Sequence, residues 1–171
     1  MSLLVNRKVT VVNAGMADIV VSGDPAVVLA SPGLGSCIGL SAYDSKAKVA
    51  GLVQIVLPDS TKGRNTAQPG KFADTAVPEL IKQMNARGAR TSNIIFKAAG
   101  GAQMFSGGGN NASALFNVGE RNFLAVKEAL KSLGLALSKH EVGGNEGRTI
   151  RIFCSDGTVT VKRVNKSEVV L

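Results

Sequence analysis

Cys37 is the residue whose neighbours best suit it to chemistry. It closes the run Gly33-Leu34-Gly35-Ser36-Cys37 and is followed by the apolar segment Ile38 to Tyr43. Glycines let the backbone turn sharply and bring amide groups close to a bound oxygen. A thiol in such a turn can attack a carbonyl while nearby N–H groups hold the oxyanion that forms. The same cysteine also fits a plainer role as a small core residue at a strand start, because free cysteines are often buried and inert. The spacing Gly33-x-Gly35-x-x-x-Gly39 misses the dinucleotide pattern, and no acidic ribose partner follows it. Cys37 and Cys154 lack any Cys-x-x-Cys or Cys/His spacing that would hold zinc. The expectation is therefore a site with no cofactor and no metal. His140 is the only histidine among 171 residues. It lies in the polar stretch Ser138-Lys139-His140-Glu141 and reads as a surface residue, with no Ser-His-Asp arrangement around it.

The elements that must position Cys37 are mostly strands. Lys8 to Val12, Ala17 to Val21 and Ala26 to Ala30 are short β-rich or apolar runs, the last two split by Ser22-Gly23-Asp24-Pro25. Ile38 to Tyr43 and Val49 to Leu57 read as a hairpin across Asp44 to Lys48, although the seven residues after Cys37 also suit a short helix. Asp59 to Gly70 is a loop. A helix is expected over Phe72 to Arg87, with Phe72, Ala76, Leu80 and Met84 about one turn apart and Gly88 as the stop. A buried strand, Asn93 to Ala98, runs into Gly100-Gly101-Ala102 and a glycine-rich loop, Ser106 to Asn111. A second helix follows Asn117, with Phe123, Val126, Leu130 and Leu133 on its apolar face and Gly134 at its end. A short strand, Leu135 to Leu137, and a closing hairpin, Thr149 to Cys154 and Thr158 to Val164, complete a single α/β (α+β) domain over residues 1–171. Its sheet is expected to be mostly antiparallel, layered with the two longer helices.

Composition narrows the partners. Apolar residues make up 44% and aromatic residues 4% with no Trp, so a packed core is available and a base-stacking surface is hard to build. The net charge of +8 favours acidic partners, but the basic residues are scattered, which argues against nucleic acid. No apolar run reaches the roughly 18 residues of a membrane span, and Met1 to Gly15 lacks the pattern of a signal peptide. A cytoplasmic protein without membrane insertion is expected.

Several motifs occur in an order that resembles the CheD family of chemotaxis proteins. They are Gly33-Leu34-Gly35-Ser36-Cys37, Tyr43-Asp44, Leu57-Pro58, Phe72-Ala73-Asp74, Gly100-Gly101-Ala102-Gln103-Met104-Phe105, Gly119-Glu120-Arg121-Asn122 and Val142-Gly143-Gly144-Asn145-Glu146-Gly147-Arg148. The resemblance covers about Gly15 to Val164. It implies a layered α/β fold and the hydrolysis of chemoreceptor glutamine side chains to glutamate and ammonia. It also implies a catalytic cysteine, histidine and threonine, and docking on receptor cytoplasmic helices and on a CheC-like phosphatase.

Carried over by motif, Cys37 matches the nucleophile, and Gly33, Gly35 and Ser36 form its oxyanion and substrate loop. The threonine position, six residues before the cysteine, holds Ser31. The histidine position, in the strand before Leu57-Pro58, holds Gln54. A hydroxyl survives this exchange; a titrating base does not. General acid–base loss costs roughly 10²–10⁴-fold, so impaired catalysis is expected, with a binding module of the same fold as the alternative. Cys37 is expected to be partly accessible in a cleft beside Ser31 and Gln54, and Cys154 to be buried.

Overall fold

A computed structural model describes residues 8–104 and 117–171. Among the described residues ten strands form two five-stranded sheets. The outer sheet has the order β1-β3-β8-β9-β10, from Thr10–Asn13, Val27–Leu34, Arg148–Phe153, Val159–Arg163 and Val169–Val170. The central sheet has the order β2-β5-β4-β6-β7, from Ile19–Ser22, Val49–Ile55, Ile38–Asp44, Ile94–Gly100 and Leu137–Val142. Pairing is antiparallel except for β1 with β3 and β6 with β7, so both sheets are mixed, and the two parallel pairs are joined by longer connections. Helices α1 (Ala73–Ala86) and α2 (Val118–Ser132) cover one face of the central sheet, and the outer sheet covers the other. Among the described residues no helix is long and apolar enough to cross a membrane.

The burial of each strand follows from this layering. β4 and β5 are buried along their whole length, because both faces are covered, and they read as near-continuous apolar runs. β8 alternates buried and half-buried residues, since only one face of the outer sheet meets the core. In β5, Val49, Val53 and Ile55 pack under the helices with Leu80 and Met84 of α1, whereas Ala50 and Leu52 pack toward the outer sheet. Gln54 has the parity of the second set.

The segment after Cys37 is strand, as the hairpin reading expected, and the helical alternative falls away. Two other expectations shift. β3 continues past Ala30 through Ser31-Pro32-Gly33 to Leu34. A bulge, with Ser31 opposite Ile150 and Leu34 opposite Arg148, takes up the proline that cannot donate to the ladder. The last strand of the central sheet is Leu137–Val142 instead of Leu135 to Leu137, so the polar run Ser138 to Glu141 is sheet edge. An edge strand tolerates polar residues, which hid it from an apolar-pattern reading. The glycine-rich loop Ser106 to Asn111 lies outside the described residues.

Candidate active site

Strand register places the three carried-over side chains together. Gln54 of β5 pairs with Gly39 of β4. Cys37 stands two residues before Gly39, on the same face, and so lies diagonally across from Gln54. Ser31 reaches the same space from β3 of the facing sheet. Its Oγ is 2.9 Å from Gln54 Oε1 and 3.0 Å from the Ala14 carbonyl oxygen. A hydroxyl carries one proton, so it donates to one of these oxygens at a time. When Gln54 Oε1 accepts that proton, the amide nitrogen remains to face Cys37, and the Gln54 side chain lowers the thiol against the effect of burial.

The surroundings favour a protonated sulfur. Cys37 is 9% exposed, Gln54 4% and Ser31 0%. Burial pushes the Cys37 thiol above its ordinary value, and the hydrogen bonds from Gln54 and from its own N–H only partly offset this. The expectation of a partly accessible thiol is therefore corrected. Met104 lies over Gly35, and the Gly100-Gly101-Ala102 backbone closes against the loop. Cys154 is 1% exposed, immediately after β8, and burial pushes its thiol up to about 11. Both cysteines are free.

The loop carrying Cys37 is held by its carbonyls. Gly101 N–H donates to the Cys37 carbonyl at 2.9 Å and Ala102 N–H to that of Gly35 at 2.8 Å. Asn122 Nδ2 of α2 donates to the Ser36 carbonyl at 3.0 Å and to the Val56 carbonyl at 2.9 Å. Gly100, at φ +115°, has Cys37 backbone where a Cβ would stand, so no other residue allows this approach. Among the described residues, the N–H groups of Gly35, Ser36 and Cys37 donate to no main-chain carbonyl. Amides without a main-chain acceptor beside a thiol can receive a developing oxyanion. Gly33 sits exposed in the β3 bulge, at the rim of this loop. Sequence reasoning assigned no role to Gly100 or Asn122. Their motifs were visible, but the Asn122 to Ser36 contact spans 86 residues.

His140 is elsewhere. It pairs with Ala98 of β6, whose side chain joins the helix-side core, and its ring lies 4.9 Å from that of Phe123 of α2. Cys37 packs in the other core, between the sheets. The central sheet thus separates the sole imidazole from the thiol, and no movement of a side chain alone joins them.

A thiol in the loop just before β4, diagonal to an amide and backed by a hydroxyl from a facing sheet, defines a cysteine-centred site in a layered α/β fold. The family model described as CheD chemotactic sensory transduction matches residues 56–163. The chain is 47% identical over 154 residues to the probable chemoreceptor glutamine deamidase CheD of Caldanaerobacter subterraneus subsp. tengcongensis, covering 90% of this chain and 93% of that protein. It is 45% identical over 155 residues to the protein of the same description from Clostridium botulinum strain Eklund 17B, covering 91% and 94% of the two chains. A crystal structure of a Neisseria meningitidis protein aligns with a TM-score of 0.46 at 9% identity, covering 80% of this chain and 63% of that one. The chain belongs to the CheD family.

Proposed function

We propose that this chain acts in the cytoplasm on the helical cytoplasmic segments of chemoreceptors, as a protein-glutamine deamidase of strongly reduced rate. Support comes from two relatives above 40% identity that are described as probable chemoreceptor glutamine deamidases. The observation that carries the reading is the buried line of Cys37, Gln54 and Ser31 beside unspent backbone amides. In this reading Cys37 Sγ attacks the Cδ of a receptor glutamine. The oxyanion is received by the loop of Gly33, Gly35 and Ser36, together with the Cys37 N–H. Ammonia leaves, and water then cleaves the thioester to give glutamate and the free thiol.

The reduced rate follows from Gln54. It donates a hydrogen bond but takes up no proton near neutrality. Deprotonation of the thiol and protonation of the departing ammonia then fall to water. The sole histidine, on the helix side of the central sheet, supplies neither step. A second reading draws on the same burial: a CheD-fold binding module that docks on receptors or on a CheC-like phosphatase without chemistry, as one domain. Mass spectrometry of receptor cytoplasmic fragments, incubated with and without the protein, separates the two. Each deamidation adds about one dalton, and the expected result is slow, Cys37-dependent addition. No addition, with receptor binding retained, establishes the binding module.

A further inference from the structure

We infer that Asn122 is a positioning residue for the oxyanion-binding peptide: it holds the Ser36 carbonyl and thereby aims the Cys37 N–H into the site. A trans peptide points its C=O and the following N–H in opposite directions. The Ser36 oxygen accepts from Asn122 Nδ2 at 3.0 Å, so the Cys37 amide is directed to the opposite side of that peptide, away from α2.

The orientation of the Asn122 amide is determined by its partners. Both protons of Nδ2 are used, on Ser36 and on Val56, the latter at 2.9 Å. A flipped amide would set its oxygen against two carbonyl oxygens. Among the described residues no other donor reaches either carbonyl. Val56 follows β5 directly, two residues after Gln54, so one side chain ties the peptide before the nucleophile to the strand of Gln54. Asn122 is fully buried, and among the described residues its Oδ1 has no partner. An unpaired buried acceptor lowers stability, and an apolar residue of similar volume would avoid that cost. An asparagine whose two protons fork onto the nucleophile loop and the β5 end has a positional reason to be there.

The inference rests on the deamidase reading, and the experiment separates the two. Asn122→Leu is compared with wild type and with Met84→Ala, a core variant in α1 that lowers stability without touching the loop. Deamidation of a chemoreceptor cytoplasmic fragment passes through an oxyanion; alkylation of Cys37 by iodoacetamide does not. In Asn122→Leu, kcat is expected to fall about 10²-fold with KM changed less than about threefold. Alkylation, at a pH where the thiol is ionised, stays within about threefold of wild type. Unchanged kcat overturns the inference. So does alkylation lost in parallel with kcat, or an equal kcat loss in Met84→Ala. If wild type shows no deamidation, the activity reading has failed, and hydrogen exchange at the Cys37 amide decides instead. Exchange about tenfold faster in Asn122→Leu, against an unchanged central sheet, upholds the positioning role. Unchanged exchange there overturns it.

Discussion

Gln54 offers a donor and an acceptor on one side chain but no titration near neutrality. Gln54→His is therefore expected to raise deamidation by about 10²–10⁴-fold, since an imidazole takes the thiol proton and leaves a cation beside the sulfur. Cys37→Ala abolishes activity in both backgrounds. The mass shift of a receptor fragment reads both results, and a wild-type rate equal to that of the histidine variant contradicts the assignment of Gln54. The thiols also give a pH dependence. Burial raises Cys37 above the ordinary thiol value of 9.0 and Cys154 to about 11. The folded state then holds protons that the unfolded chain has lost, so the stability they confer is complete below pH 9 and lost as pH climbs toward 11. Urea melts across that window are expected to show a falling midpoint. Iodoacetamide labelling of Cys37 is expected to rise only at alkaline pH, and to shift to lower pH in Gln54→His.

Two elements hold the site from outside it. The start of α2 packs on the Gly100-Gly101-Ala102 segment so tightly that a Cβ on Gly119 would stand 2.7 Å from the Ala102 carbonyl oxygen. Backbone cannot rotate aside, so Gly119→Ala displaces the helix that carries Asn122. A loss of about 1–3 kcal/mol in chemical denaturation is expected. The loop after β7 is anchored by Arg148 at the start of β8, whose side chain is 1% exposed. It donates to the Glu141 carboxylate at 2.9 Å, to the Glu141 carbonyl at 2.8 Å and to the Gly143 carbonyl. Gly143 N–H in turn donates to the Gly100 carbonyl at 3.0 Å. Arg148→Ala strands Glu141 with Arg163 alone, and a cost of roughly 3 kcal/mol is expected. A change below about 0.5 kcal/mol, the range of ordinary surface substitutions, would show the anchor to be dispensable. The helices and hairpins behind these anchors were legible from period and turn residues. β7 was not, because a polar edge strand has no apolar alternation to detect.

At the scale of the whole molecule, +8 net charge is the property most exposed to solution conditions. Exposed charges are screened over about 8 Å at physiological salt and about 3 Å at 1 M. Binding to acidic receptor helices is expected to weaken steadily as salt rises, mainly through slower association. Titration calorimetry or surface binding from low to high salt reads this directly. Affinity that does not respond to salt shows the charge to be incidental to recognition.

The amino-acid sequence determined, by itself, the family, the two helices, most strands and the identities at residues 31, 37 and 54. These are local properties: spacing, period and turn chemistry act within a dozen residues. That Cys37 and Gln54 should meet was implied only by the family resemblance. What covers them was decided only by tertiary structure. The Ser31 to Gln54 bond spans 23 residues and the Asn122 bonds span 66 and 86. Contacts at such separations depend on how layers stack, which no local pattern encodes. Stacking buried Cys37, raised its thiol, and set His140 on the helix face of the central sheet, because the odd and even positions of one sheet meet different layers.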